Sequence, residues 1–184
     1  MVGGSSFIPL IQRRLEEAER ELNAALECSP NLAEAYVLLG GICLSRGDLD
    51  GCLDYNRKAV RVRPGFSEGY GNIGFVELQR GNVDEAIKNF ERATTFNFRY
   101  VQAFANLGNA YLMKGLVEEA IAANQKAVTL APDFAPAHNN LAIAYLEKGD
   151  YALAIEHCDK AVALGFDVAP PIRQEIEEHR AKMK

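Results

Sequence analysis

No run of apolar residues in this 184-residue chain approaches the roughly 20 needed to cross a bilayer as a helix, so a membrane-spanning helix is not expected. A basic stripe is also missing. The 20 lysines and arginines are interleaved with 25 acidic residues for a net charge of −5, and no cluster offers the positive surface a phosphate backbone needs. That argues against a nucleic-acid partner. The opening Met1–Ser6, MVGGSS, has neither the positive flank nor the hydrophobic stretch of a secretory signal. It reads as part of a flexible leader, residues 1–8. The expected compartment is the cytoplasm, with a targeting segment lost by trimming left open.

Groups that do chemistry are scarce. The four cysteines, Cys28, Cys43, Cys52 and Cys158, form no CxxC pair and match no zinc spacing. Each falls on an apolar helical position, the pattern of buried free thiols in a reducing compartment. Cys43 and Cys52 would lie on facing helices, where a disulfide is conceivable. Of the three histidines, His138 takes a bulky aromatic position and is expected to pack, while His157 and His179 fall on or near outer faces. Glu156 and Asp159 lie near His157, but no serine or cysteine nucleophile is paired with them, and three or four convergent metal donors cannot be assembled. No glycine loop is free to cradle phosphate, since turns and helix crossings account for the glycines. The expectation is a non-enzyme with no catalytic residue, metal or cofactor.

What the chain does have is a ruler. Glycine recurs at 47, 81, 115 and 149, alanine at 59, 93, 127 and 161, and Leu39, Ile73, Leu107 and Leu141 keep the same 34-residue interval. A fixed period of this length marks one supersecondary unit, copied and stacked. Within the copy at 101–134, Val101, Phe104, Leu107, Gly108 and Tyr111 follow helical spacing, and Gly115 ends the segment. A second segment starts near Val117, with Ala120, Ile121, Ala127, Val128 and Leu130 facing inward, and Pro132 halts it. The plan also fits 33–66, 67–100 and 135–168. Gly40, Gly74, Gly108 and Ala142 are expected where the two helices cross, opposite Cys52, Ala86, Ala120 and Ala154.

Phe104, Leu107, Gly108, Tyr111, Ala120, Ala127 and Pro132 together resemble the tetratricopeptide repeat, in four full copies over about three quarters of the chain. The resemblance implies an all-α, right-handed superhelical solenoid of helix-turn-helix units, whose first helices line a concave groove that binds an extended peptide or a partner helix. The family's second-helix aromatic appears as Phe90 but is replaced by Asn56, Asn124 and Cys158, and its closing proline by Phe98 and Phe166. Glu77 stands where later copies have Tyr111 and Tyr145, which suggests a looser second repeat. Residues 9–32 read as the second helix of a preceding half-repeat with an exposed apolar edge. Pro170 and Pro171 open a capping helix over 169–184, with Ile172 and Ile176 inward.

Carried along the period, one groove position gives Leu38, Asn72, Asn106 and Asn140. An amide offers both donors and an acceptor, so such a ladder can pair with the backbone of an extended peptide. It is similar to the asparagine ladder in the repeat domain of O-linked N-acetylglucosamine transferase. The other reading is that asparagine is simply common at this exposed position. Asn109, Phe75 and Ile143 extend the surface, and Met113 and Gln79 are rim positions. Leu44, Leu78, Leu112 and Leu146 suit packing between repeats. A clamp for a C-terminal carboxylate, as in co-chaperones of the family, is rejected because its cationic positions hold Ala105, Pro170 and Gln174.

Glu34, Glu68 and Glu147 at the groove edge favour a neutral or basic partner, or else merely suit helix starts. The expected partner-binding set is therefore Asn72, Phe75, Asn106, Asn109, Met113, Asn140 and Ile143, and the expected function is a non-catalytic interaction module or scaffold. Two alternatives stand beside it: self-association through the exposed half-repeat, and the repeat module of a larger enzyme.

Overall fold

The computed structural model describes residues 7–182, with side chains from residue 10 onward. Most of the expected leader and the last two residues of the expected cap lie outside the described residues. Helix α1 (Phe7–Cys28) is followed by four helical pairs: α2 (Ala33–Ser45) with α3 (Leu49–Val62), α4 (Ser67–Gln79) with α5 (Val83–Phe96), α6 (Val101–Met113) with α7 (Val117–Leu130), and α8 (Ala135–Lys148) with α9 (Tyr151–Ala163). Helix α10 (Pro170–Lys182) closes the stack. Helix α1 starts two residues before Pro9, since a proline in the first turn removes an N–H that has no helical partner anyway.

The turn inside each pair is set by its periodic glycine. Gly47, Gly81, Gly115 and Gly149 have φ of 77°, 79°, 70° and 82°, a left-handed conformation that side chains with a Cβ resist. The next N–H then reaches back across the helix end: Asp48 to Cys43, Asn82 to Glu77, Leu116 to Tyr111 and Asp150 to Tyr145, each at 2.9 Å. Gly165, at φ 82°, ends α9 in the same way.

The helix crossings are tight for a reason the period does not disclose. A Cβ at Gly40 or Gly108 would overlap the side-chain amide of Asn56 or Asn124, and one at Gly74 would come within 2.8 Å of Phe90 Cδ1. The crowding side chain thus lies four residues beyond the small residue expected to face the glycine. In the fourth pair Ala142 does carry a Cβ, and its counterpart is the smaller Cys158. Asn56 and Asn124 are fully buried. Their Nδ2 groups donate to Cys52 O (2.8 Å) and Ala120 O (2.9 Å) in their own helices.

A second set of polar contacts joins α4, α6 and α8 each to the second helix before it, 20 residues back. Tyr111 Oη donates to Glu91 Oε1 (2.9 Å), and Gln125 Nε2 donates to Tyr145 Oη (2.8 Å). Glu77, where looseness was expected, is instead buried and held. It accepts from Asn82 Nδ2 (2.8 Å) and lies 3.7 Å from Arg57. On the solvent side Asp50–Arg80, Asp84–Lys114 and Glu118–Lys148 repeat one ion pair at each junction. Exposed pairs of this kind add little stability.

The first helices α2, α4, α6 and α8 touch one another along the stack, whereas the second helices make no comparable contacts. The first helices therefore form the inner, concave wall. At the far end Val168 and Ile176, each 1% exposed, seal the core, and Arg180 pairs with Asp159 at 2.6 Å. Within the helices, glycine should be required only where an added Cβ would clash. Gly108→Ala is expected to lower unfolding free energy by about 1–3 kcal/mol in urea denaturation. Gly41→Ala, with nothing within 4 Å of its added methyl, should be neutral or stabilising by up to about 1 kcal/mol.

Candidate partner-binding groove

Three of the expected contact residues meet on the concave wall. Asn72 and Phe75 of α4 and Asn106 of α6 line a depression of about 190 Å³, which Leu44 of α2 also borders. The depression therefore spans three successive first helices. The rest of its wall is Gly71, Gln102, Ala103 and the ring of Tyr100, in the turn before α6. Gly71 makes room for that ring, since a Cβ there would stand 2.9 Å from Tyr100 Cε1. Burial, reinforced by the nearby Glu68 charge, pushes the Tyr100 phenol above its ordinary pKa. Tyr100 was not among the expected contacts, although Leu32, Phe66, Tyr100 and Phe134 share the 34-residue register and could have signalled it. Asn109 and Ile143 are half-buried on α6 and α8, and Met113 is exposed at the end of α6. None of these three borders the depression.

The asparagine ladder is not uniform. Asn140 Nδ2 donates to Ala105 O (3.1 Å) and to Asn124 Oδ1 (3.2 Å), so both its N–H groups are used within the fold. The expectation that Asn140 simply faces solvent is thereby corrected: a buried amide 16 residues earlier captures it. Asn72 Nδ2 donates once, to Asn56 Oδ1 at 3.0 Å, which leaves one N–H. At Asn106 the residue 16 positions back is Phe90, which accepts no hydrogen bond. Asn106 Oδ1 accepts from Gln102 Nε2 (3.0 Å), and its own Nδ2 has no protein acceptor among the described residues. The amide donors not used by the fold thus number two at Asn106, one at Asn72 and none at Asn140.

The acidic edge is weaker than its composition suggests. Glu34 pairs with Arg63 at 2.6 Å, and that guanidinium holds the carboxyl below its ordinary pKa. Glu68 accepts from Ser67 Oγ (2.8 Å), and Glu147 is exposed.

Three of the four cysteines, and His138 and His157, are accounted for by packing. All four cysteines are free, with Cys43 and Cys52 unbridged; Cys28 is exposed rather than buried, and the other three are buried. Burial pushes the Cys43, Cys52 and Cys158 thiols up, away from the reactive thiolate. Among the described residues no group of three His, Cys, Asp or Glu is placed to hold a metal, and no helix is long and apolar enough to cross a membrane. His138 packs as expected and is buried. His157 does not lie on an outer face: its ring stacks between His138 and Tyr145, with centroids 5.2 and 5.6 Å away. His138 Nε2 is 2.9 Å from Pro132 O, which can only accept, so that nitrogen carries the proton. The bare Nδ1 of a neutral His138 then accepts from His157 Nδ1–H, also at 2.9 Å. Tyr36 Oη makes the matching contact to Pro30 O in the first pair, at 3.1 Å.

Models of the tetratricopeptide repeat match residues 11–65 and 74–135, and again 135–164. No curated protein was found to match the chain in sequence. Among solved structures, a MamA is 26% identical with a TM-score of 0.71, over 94% of each chain. MamA of Desulfovibrio magneticus RS-1, from position 41 to its end, is 27% identical with a TM-score of 0.70, covering 85% of this chain and 88% of its own. YrrB, a TPR protein with an unusual peptide-binding site, shares the fold at 21% identity and a TM-score of 0.68, covering 95% and 87%.

The histidine stack makes stability depend on pH. Burial first, then His138 and Lys160, lower the His157 pKa from 6.5 to about 4, against an opposing pull from Glu156. The unfolded chain therefore takes up a proton that the folded chain refuses. Stability is complete above pH 6.5 and should fall as pH drops from there toward about 4. Urea midpoints measured across this window should show that fall in the wild type and a shallower one in His157→Gln.

Proposed function

Because the chain belongs to the tetratricopeptide repeat family, we propose that it is a non-catalytic interaction module that holds an extended segment of a partner protein in its concave groove. The observation that carries this reading is the depression at Asn72, Phe75 and Asn106. There the amide donors not used by the fold border a half-buried aromatic ring. An extended backbone supplies carbonyls for the Asn106 and Asn72 N–H groups, while an apolar side chain of the ligand rests on Phe75 and Tyr100. Asn109, Met113 and Ile143 extend the contact toward the C-terminal end of the groove. Asn140 contributes by fixing the position of the wall. YrrB, of the same fold, has a peptide-binding site, which is consistent with this use of the scaffold. With Glu34 paired to Arg63, a preference for a neutral or basic ligand rests on Glu68 and Glu147.

Peptides selected against the wild-type chain from a displayed random library test the reading. Asn106→Ala and Phe75→Ala should each weaken binding of the selected peptides by about 5- to 10-fold, near 1 kcal/mol, without loss of helicity. Selected peptides that bind both variants as tightly as the wild type would place the site elsewhere.

A further inference from the structure

Among the described helices, every second helix except α1 has a first helix of its own pair to cover it. Cys52, Asn56 and Ala59 of α3, each at most 1% exposed, are covered by α2. Their counterparts on α1, Ala18, Leu22 and Ala25, are only half-buried. Beside them lies an open slot of about 340 Å³, walled by Ala18, Glu21 and Leu22 of α1 and by Leu38 and Ile42 of α2. Leu38 is 56% exposed. Ile11, 48% exposed, and Leu15 continue the stripe toward the start of α1, giving 11, 15, 18, 22 and 25 in a heptad-like 4-3-4-3 spacing.

We propose that the slot is filled by α1 of a second copy of this chain, forming a closed two-fold dimer. The two helices of every pair run antiparallel, so a helix taking the missing place must run antiparallel to α1. Two antiparallel copies of α1 satisfy that for both molecules at once. The stripe is self-complementary about Ala18. Ala18 meets itself, a small residue at the crossing as in the other pairs, while Ile11 meets Ala25 and Leu15 meets Leu22. On the flank, Arg14 of each copy faces Glu21 of the other, and Arg14 has no acidic partner within its own chain among the described residues. The helix has 22 residues against 13 in α2, so the seam is about 33 Å long.

Head-to-tail growth is disfavoured. Helix α10 follows the first-helix register at the other end, but Ile176, at the position where Gly40, Gly74, Gly108 and Ala142 permit a close crossing, is already packed into the core at 1% exposure. Glu175 replaces the leucine-like residue beside it. Neither suits α1 as a partner.

Sedimentation equilibrium of the full chain from micromolar to millimolar concentration should give a monomer–dimer equilibrium and no larger species. Arg14→Glu should raise the dissociation constant by about tenfold or more through two like-charge contacts. The swap Arg14→Glu with Glu21→Arg should return it to within about threefold of the wild type. Circular dichroism confirms that each variant stays folded. A wild type that stays monomeric, a mass that keeps growing with concentration, or a charge swap that fails to restore the dimer would overturn the proposal. The groove reading does not depend on the outcome, since the peptide measurements can be made on a monomer.

Discussion

The whole architecture depends on how closely the two helices of a pair approach at Gly40, Gly74, Gly108 and Ala142. Removing the Cβ brings a backbone against the side chain of Asn56, Phe90 or Asn124, and the fold is then committed to whatever group stands there. Where that group is asparagine, burial leaves its amide no water to bond. One end is satisfied within its own helix and the other by an asparagine of the next repeat. An unsatisfied buried amide would cost about 1–3 kcal/mol, so these links are part of what holds successive repeats in register.

The same constraint shapes the groove. Amide donors on the concave wall are available in inverse proportion to what the preceding second helix takes from them. Phe90 interrupts the bonded pairs in the middle of the stack, and Asn106 beside it keeps its donors. A core substitution thus decides which amide donors stay free on the wall, with no change to the wall residue itself. Tyr100 works alongside it, its ring fitting where Gly71 lacks a side chain, so that one depression joins an aromatic face to unpaired amides.

Much of the fold was legible in the sequence. The periodic glycines announce left-handed turns, the apolar spacing announces paired helices, and the small residues announce crossings, because each of these depends on local geometry. Pairings that depend on a second residue at a distance were not legible. Asn56 and Asn124 read only as departures from an aromatic position, since a sequence shows the buried residue type but not the acceptor 16 residues away. Asn140 looked solvent-facing for the same reason. His157 looked like a surface residue because helical phase alone does not reveal that His138 turns its bare Nδ1 toward it. In the groove, period and phase located Asn72, Phe75 and Asn106 on one wall. Tyr100 escaped notice because it lies in a turn, outside the helical pattern used to find the others.

The claim that matters most is that the buried asparagines couple neighbouring repeats, and a double-mutant cycle on Asn124 and Asn140 tests it directly. Unfolding free energies of the wild type, Asn124→Ala, Asn140→Ala and the double variant should give a coupling of about 1–3 kcal/mol, because Asn140→Ala strands the carbonyl of the fully buried Asn124 and the double variant removes that cost. Effects that add to within about 0.5 kcal/mol would contradict the account.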